Sequence, residues 1–133
     1  MKHDEIELPV SEEIDVLKAA FEGKDMSELA GFAENVQLMI STVVSELARN
    51  IYKFAGKGIM RIKLLDRDNR KGIEIIAEDN GPGISNLAEA LEEHFSTGNS
   101  LGLGIPAVKR MMDEFTITSV PGKGTKITAR KWG

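Results

Sequence analysis

The sequence predicts a two-layer α/β (α+β) sandwich, in which helices cover one face of a mixed, mainly antiparallel sheet. Three observations carry this prediction: strand-like segments form two pairs joined by polar turns, two helical patterns precede them, and the chain has the size of one domain. Its 133 residues are 41% hydrophobic and 29% charged, which is the composition of a globular protein with one core. We therefore expect a single domain spanning residues 1–133.

The chain begins with a predicted strand and helix. Ile6–Val10 alternates apolar and polar residues, which is typical of a half-buried strand. Ser11 is expected to cap a helix that carries acidic residues in its first turn. The periodic apolar residues of this helix are Ile14, Leu17 and Phe21.

A longer amphipathic helix is expected next, from about Phe32 to Phe54. Gly56 stands where a helix commonly ends in a left-handed residue. Apolar residues recur along this segment at helical spacing, so they form one stripe that should face the core. The stripe consists of Val36, Ile40, Val43, Val44, Leu47, Ile51 and Phe54.

Two hairpins are predicted in the remaining chain. The first pairs Ile59–Leu65 with Gly72–Glu78 across the polar turn Asp66–Lys71. The second pairs Phe115–Val120 with Thr125–Ala129 around a Pro-Gly-Lys-Gly turn. Because hairpin strands are antiparallel, the sheet should be mainly antiparallel.

Between the hairpins the pattern is helical again. A short helical segment is expected near Leu87 to Glu92, followed by a loop over Phe95–Leu101. A third helix should start between Gly102 and Ile105 and run to about Asp113.

Composition excludes several classes of function. The formal net charge of −4 argues against a binder of duplex nucleic acid, which needs a basic face. Cysteine is absent and there are only two histidines, which excludes thiol chemistry, disulfides and a multi-histidine metal site. The acidic N-terminus does not resemble a signal peptide, and no apolar run is long enough to span a membrane. We expect a cytoplasmic protein that binds neither nucleic acid nor a membrane.

Glu46 and Asn50 lie one helical turn apart at the margin of the apolar stripe. At that margin a polar side chain can point into a cleft between helix and sheet. An amide oxygen suits a hard cation such as Mg2+, and a carboxylate beside it can orient a nucleophile. On this evidence alone, a solvent-facing pair on an amphipathic helix remains the alternative.

A second candidate site follows the strand that ends near Glu78. Asp79 precedes Gly81 and Gly83, two glycines separated by one residue. Glycines remove side chains, so a flat ligand could lie against the main chain while the Asp79 carboxylate accepts a hydrogen bond from it. A simple turn is the alternative, because Asn-Gly and Pro-Gly are strong turn dipeptides.

Two more glycine-rich segments complete the set. Gly98, Gly102 and Gly104 lie in the segment that enters the third predicted helix, where exposed backbone N–H groups can cradle an anion. This segment lacks the Lys-Ser/Thr ending of a P-loop, and a flexible loop is the alternative. Gly122–Thr125 is a weaker signal, since a glycine turn is expected in any hairpin.

In this order and spacing the four segments resemble the asparagine box and the three glycine boxes of the GHKL (Bergerat-fold) ATPase/kinase superfamily. The segments are Ser45–Asn50, Glu78–Ile84, Leu101–Gly104 and Gly122–Thr125. This superfamily includes gyrase, sensor histidine kinases and MutL. Within it the chain resembles above all the RsbT-type serine/threonine switch kinases of the bacterial stressosome. That resemblance is carried by Ser45–Tyr52, Gly104–Phe115 and the terminal Lys131-Trp132.

The resemblance implies a role for each polar residue of the boxes. Asn50 would hold Mg2+, and Glu46 would orient or deprotonate the attacking hydroxyl. Asp79 would bind the adenine amino group of ATP. The remaining residues at the adenine would be Gly81, Gly83 and Thr125.

The resemblance also implies how the phosphates of ATP are bound. The residues beside the nucleotide would be Gly98, Gly102, Leu103 and Gly104. Only 18 residues separate Gly83 from Gly102, which leaves room for a short lid over the nucleotide. His94 in that segment is expected to be a loop residue rather than a phosphoacceptor, so an autophosphorylating histidine kinase is disfavoured.

The function implied is an ATP- and Mg2+-dependent serine/threonine kinase that phosphorylates STAS-domain scaffold and antagonist proteins of a stressosome. Once released, such a kinase binds and activates a metal-dependent serine/threonine phosphatase in stress signalling. The alternative is an RsbW-like anti-sigma factor kinase, which sequesters a sigma factor and phosphorylates an anti-sigma antagonist. The boxes are common to both, whereas chain length and the C-terminal half favour the first. Either could form a homodimer.

Overall fold

The computed structural model describes residues 4–83 and 104–133, which form five strands and three helices. In chain order these are β1 (Glu5–Val10), α1 (Glu13–Leu29), α2 (Glu34–Phe54), β2 (Gly58–Arg67), β3 (Arg70–Asp79), α3 (Ile105–Met111), β4 (Glu114–Val120) and β5 (Gly124–Trp132). The strands form one sheet in the order β1-β2-β3-β5-β4. Every adjacent pair is antiparallel, so the predicted sandwich is confirmed, while the described sheet is antiparallel throughout rather than mixed.

The core lies between the sheet and the two long helices. The predicted apolar stripe of α2 faces the core. Its two end residues, Val36 and Phe54, are partly buried, and the residues between them are fully buried. On the sheet side, buried apolar residues alternate along β2 and β3; they are Met60, Ile62, Ile73, Ile75 and Ala77. Full burial of a side chain of this size stabilises the fold by about 1.5–3 kcal/mol, so this contact holds α2 over the central strands.

Helix α1 begins one residue later than a Ser11 cap would imply. Its first residue is Glu13. The Asp15 carboxylate accepts hydrogen bonds from the backbone N–H groups of Ser11 at 2.9 Å and Glu12 at 3.0 Å. The Asp15 carboxylate therefore satisfies the N–H groups that precede the helix. The cap position itself is occupied by Glu12, whose backbone is extended, so the prediction of a Ser11 cap is wrong.

The buried face of α1 also differs from the predicted one. The side chains of Ile14, Leu17 and Phe21 are 50%, 54% and 62% exposed. Buried instead are Val16, Ala19, Gly23, Met26 and Ser27. Small residues allow the closest approach to α2: a Cβ on Gly23 would lie 2.8 Å from Cγ2 of Val44. Close packing of the two helices therefore decides which side of α1 is buried.

The β2–β3 hairpin is longer, and its turn shorter, than predicted. The strands extend to Arg67 and from Arg70, which leaves Asp68 and Asn69 as the two turn residues. Both have positive φ, 53° and 65°, as a two-residue hairpin turn with the right-handed twist requires. Asp and Asn tolerate this conformation better than other residues with side chains.

The sheet register gathers the ends of three strands beside α2. Asp79 at the end of β3 lies opposite Thr125 of β5 on one side and opposite Gly58 of β2 on the other. A Cβ on Gly58 would lie 2.8 Å from Cγ2 of Ile51, so the C-terminal half of α2 passes close to these strand ends. Segments that are far apart in sequence therefore meet at one end of the sheet.

Helix α3 is shorter than the predicted third helix and ends at Met111 instead of about Asp113. The predicted helical segment near Leu87 to Glu92 and the loop over Phe95–Leu101 lie outside the described residues. None of the helices in residues 4–83 and 104–133 is long and apolar enough to cross a membrane.

Candidate active site

A pocket opens between the C-terminal half of α2 and the ends of β3 and β5. Four residues predicted from three separate boxes lie in its lining: Asn50, Asp79, Gly83 and Thr125. The rest of the lining is apolar or small and consists of Leu47, Ile51, Phe54, Ala55, Ala77, Pro82, Ile105 and Ile127. A mainly apolar pocket with a few convergent polar groups is the usual form of a small-molecule site.

Asp79 is held in a defined orientation at the edge of this pocket. Its Oδ1 accepts a hydrogen bond from the backbone N–H of Gly81 at 2.8 Å. The bond closes a local turn directly after β3 and fixes the plane of the carboxylate. A carboxylate in this position can accept a hydrogen bond from a flat ligand that lies on the apolar lining.

The two glycines after Asp79 are required by close packing of the protein itself. A Cβ on Gly81 would lie 2.5 Å from Cβ of Ala55, and one on Gly83 would collide with the carbonyl oxygen of Val120. Gly83 also has a positive φ of 76°, which residues with side chains rarely adopt. Together they let the 79–83 segment pass between the end of α2 and strand β4.

The first and last glycine boxes are joined through the main chain. The backbone N–H of Gly122 donates to the carbonyl oxygen of Pro82 at 2.7 Å. Gly124 faces the backbone of Asp79, since a Cβ there would collide with the Asp79 carbonyl oxygen. The turn between β4 and β5 thus supports the loop that carries Asp79.

Thr125 lies directly across the β3–β5 ladder from Asp79. Its Oγ1 is 2.8 Å from Oγ of Ser119, which also donates to the carbonyl oxygen of Gly124 at 3.2 Å. This pairing orients the Thr125 hydroxyl. Sequence reasoning missed Ser119; only the β4–β5 register, in which residues 119 and 125 are partners, identifies it.

Glu46 is brought against Gly104, a residue predicted from a different box. A Cβ on Gly104 would lie 3.1 Å from Cβ and 3.2 Å from Cδ of Glu46, and closer still to Oε1. On the other side Oε2 of Glu46 is 3.5 Å from Nη1 of Arg49. Glu46 itself is not part of the pocket lining, but Asn50, one turn further along α2, is. The carboxylate therefore lies just beyond the pocket, where α3 begins.

Three predicted site residues lie outside the described part of the chain, and one feature of the pocket was not predicted. Gly98, Gly102 and Leu103 lie outside the described residues. The apolar lining was not predicted, although period-two alternation places Ala77 with Asp79 and Ile127 with Thr125 on the same face of their strands.

The described lining of the pocket offers few side chains that could bind a metal ion, so a metal there would be held mainly by the oxygens of a bound phosphate ligand. Within residues 4–83 and 104–133, no group of three or more His, Asp or Glu side chains is placed to hold a metal ion. Mg2+ in phosphate-transfer sites takes few protein ligands and completes its shell with phosphate oxygens and water. One amide oxygen from Asn50 is compatible with that requirement.

Comparison with known families agrees with this geometry. Residues 35–132 match the family described as histidine kinase-, DNA gyrase B-, and HSP90-like ATPase. The match covers α2, the sheet from β2 onward and every box named above, so the chain belongs to this ATPase family.

Individual relatives refine the class. The chain is 48% identical over 120 residues to the serine/threonine-protein kinase RsbT of Bacillus subtilis (strain 168), covering 90% of both chains. It is 35% identical over 99 residues to the anti-sigma F factor of Caldanaerobacter subterraneus subsp. tengcongensis, covering 70% of this chain and 68% of the relative. By its family and its similarity to RsbT, the chain is an ATP-dependent enzyme of the serine/threonine protein kinase type.

A solved structure shares the fold. The mycobacterial sensor histidine kinase MprB aligns over 99% of this chain and 98% of its own, with a TM-score of 0.56 and 18% sequence identity. At this identity the likeness concerns the fold alone.

Proposed function

We propose that this chain transfers the γ-phosphate of ATP, with Mg2+, to serine or threonine residues of STAS-domain proteins in a stressosome. The observation that carries the proposal is the convergence of Asn50, Asp79 and Thr125 in one pocket, with Glu46 just beyond it. The similarity to RsbT supports the choice of acceptor residue. Residues 1–133 would act as one ATPase/kinase domain.

The adenine would bind in the apolar pocket. Asp79, oriented by Gly81, accepts a hydrogen bond from the exocyclic amino group, and Thr125 supports the same edge of the base from β5. Because Gly81 and Gly83 have no side chains, their loop packs closely against Ala55 and Val120 and leaves room for the base beside it. Because the lining is apolar, burial of a planar base there stabilises the complex, in addition to the directional hydrogen bond.

The phosphates would extend from the pocket toward Gly104. Asn50 would hold Mg2+ through its amide oxygen, and the metal would supply neutralisation of the charge on the phosphate oxygens. Gly98, Gly102 and Leu103 would complete the phosphate site together with Gly104.

Glu46 would act on the acceptor hydroxyl. In the reaction the hydroxyl oxygen bonds to the γ-phosphorus while the bond to the leaving ADP oxygen breaks, and Glu46 takes the hydroxyl proton. Phosphoryl transfer passes through a loose transition state, so charge neutralisation and positioning matter more than removal of this proton. Asn50 should therefore be less replaceable than Glu46.

The proposal includes partners and location. After phosphorylating its STAS-domain partners, the kinase would be released to activate a metal-dependent serine/threonine phosphatase, and both steps would occur in the cytoplasm. A homodimer is compatible with this scheme. Similarity to the anti-sigma F factor supports a second candidate, a kinase that also sequesters a sigma factor.

Labelled phosphate transfer tests the first candidate. The chain is incubated with Mg2+, γ-labelled ATP and a purified STAS-domain protein of the same organism, and the label should appear on serine or threonine of that protein. A matched STAS protein with those residues changed to alanine should stay unlabelled. Absence of label on the STAS protein would contradict the proposal.

Two further mixtures test the partners. A stable complex with a sigma factor would favour the second candidate over the first. Failure to stimulate any metal-dependent phosphatase of the same organism would overturn the release step alone.

A further inference from the structure

Arg49 is an exposed residue of α2 that forms an ion pair with Glu46, the proposed general base. Its Nη1 lies 3.5 Å from Oε2 of Glu46, one turn earlier on the same helix. Among the described residues, Arg49 is the one cation recorded in an ion pair with Glu46. Sequence reasoning assigned no role to Arg49.

The Glu46 carboxylate is restrained on two sides. Oε1 and the carbon chain of Glu46 pack against Gly104, while Oε2 points to the Arg49 guanidinium. A Glu side chain has three rotatable bonds, and a carboxylate without such contacts would sample many orientations. Contacts on both sides reduce the number of orientations open to the carboxylate.

The ion pair between Arg49 and Glu46 contributes little to the stability of the fold. Arg49 is 48% exposed and Glu46 32% exposed at their side chains. Ion pairs of this kind contribute about 0–1 kcal/mol to folding, because water and salt screen them and ordering two long side chains costs entropy. Its larger effect would be on the orientation of Glu46, since small misplacements of a reacting group are costly in rate.

We propose that Arg49 is a positioning residue for phosphate transfer: it holds the Glu46 carboxylate in the orientation that accepts the hydroxyl proton. This inference rests on the proposed role of Glu46. Arg49 touches neither ATP nor the acceptor in this scheme, and it acts only through Glu46.

Lys53 supplies a matched control. Lys53 lies one turn beyond Arg49, and both side chains line a groove between α1 and α2. Its Nζ is 5.7 Å from the ring centroid of Phe54, and its charge equals that of Arg49. The two cations therefore share a surface, while Arg49 is the one paired with Glu46.

The test compares kinetic constants for phosphate transfer to the STAS-domain protein. Arg49→Met removes the charge and keeps the aliphatic chain, and we expect kcat to fall about tenfold, with KM for ATP and for the STAS protein within about twofold of wild type. Arg49→Lys should recover most of the lost kcat because it keeps a donor in reach of Glu46. Lys53→Met should match wild type.

A double-mutant comparison isolates the route through Glu46. Glu46→Gln should lower kcat about 100-fold, the lower end of the usual contribution of a general base. Adding Arg49→Met to Glu46→Gln should then change kcat less than about twofold, because the group that Arg49 positions is gone. An additional tenfold loss in that background would overturn the inference.

The remaining outcomes separate the two levels of the scheme. Wild-type kcat in Glu46→Gln would contradict the proposed role of Glu46, and the inference with it. A low kcat in Glu46→Gln with wild-type kcat in Arg49→Met would overturn the inference and leave the proposed function standing. A raised KM for the STAS protein with unchanged kcat in Arg49→Met, or an equal loss in Lys53→Met, would make Arg49 part of a docking surface and overturn the inference.

Discussion

The two ends of strand β3 use their side chains in different ways. At the Asp79 end, glycines let loops pack closely and an apolar pocket opens. The polar side chains of Asp79 and Thr125 in the pocket lining bond to backbone or to a neighbouring hydroxyl. At the Arg70 end, charged and aromatic side chains bond to one another. The sheet is continuous between these ends, so the contrast lies in the side chains and not in the backbone ladder.

Trp132 is the centre of the Arg70 end. The guanidinium carbons of Arg67 and Arg70 lie 5.1 Å and 5.4 Å from the centroid of its ring. Its indole N–H donates to Oε2 of Glu114 at 2.7 Å. A Cβ on Gly72 would lie 2.6 Å from the ring, so glycine at that position is what admits the indole.

Arg130 extends this network across three strands. Its Nε donates to Oε2 of Glu74 at 2.7 Å, and its Nη1 donates to Oε1 of Glu114 at 2.9 Å. Side-chain pairs across neighbouring strands are the unit of sheet stabilisation. The Arg70 end therefore stabilises the sheet, whereas the Asp79 end carries the groups that we propose for ligand binding.

Asn50→Ala should give the largest effect at the Asp79 end. We expect phosphate transfer to fall about 1,000-fold, more than in Glu46→Gln, because a ligand of the metal that neutralises charge at the phosphates is lost. The thermal midpoint should change little, since Asn50 lies at the margin of the core. Asn35→Ala, on the exposed first turn of the same helix, is the control. Equal transfer by both variants would contradict the assignment of Asn50.

Asp79→Asn should weaken ATP binding next most strongly. Loss of a hydrogen bond to a charged group costs about 1.5–3 kcal/mol, which corresponds to a rise in Kd of about 10- to 150-fold. Asn can still accept the Gly81 N–H, so the fold should persist. Asp68→Asn makes the same change of charge at the other end of the hairpin, and calorimetric titration should give it the wild-type Kd. Wild-type affinity in Asp79→Asn would remove the adenine assignment.

Gly83→Ala and Gly122→Ala sharpen the role of close packing at the same end. Both residues have positive φ, 76° and 80°, so each alanine costs about 1–2 kcal/mol of conformational energy. A Cβ on Gly122 meets nothing within 4 Å, whereas one on Gly83 collides with Val120. Urea unfolding should therefore show the greater loss of stability for Gly83→Ala. Equal losses would mean that backbone conformation alone requires glycine at residue 83.

The smallest effect should come from Glu114→Gln at the Arg70 end. The Trp132 indole N–H and the Arg130 guanidinium lower the pKa of Glu114 below its ordinary value of 4.5. A carboxyl with a lowered pKa stabilises the fold above its unfolded pKa, and this contribution is lost as pH falls through the folded pKa.

Urea unfolding at two pH values checks this sign. Glu114→Gln should be slightly less stable than wild type at about pH 7, and the difference should vanish at strongly acid pH, below both pKa values. ATP affinity should be unchanged. A stability difference that is the same at both pH values would show that the charge of Glu114 is irrelevant at this end of the sheet.

Much of the fold was predictable because the chain satisfies local rules. The period of α2 and the alternation of the strands mark elements whose buried sides are set by simple spacing, and Ile40, Leu47 and Ile51 are buried as expected. Helix α1 was the failure: its apolar residues at positions 14, 17 and 21 are exposed. The contact of Gly23 with Val44 outweighs local hydrophobicity there, and such a contact between two helices is invisible in a periodic pattern.

The site divides in the same manner. Its polar residues could be named from their motifs, because Asp before two glycines and Asn one turn after Glu are local arrangements. The proximity of Glu46 to Gly104, the Ser119–Thr125 pair and the apolar lining could not, since each joins segments whose distance depends on strand register and helix placement.

By itself, the sequence determined the class of fold, the order of its elements and the residue types available for phosphate chemistry. Only the tertiary structure decided which of these residues meet, which face of α1 is exposed and which cation reaches Glu46. The physical reason is that periodicity and turn chemistry depend on residues within a few positions of one another, whereas a site depends on close packing between distant segments. In this chain that packing is set largely by the glycines that allow backbones and side chains to approach.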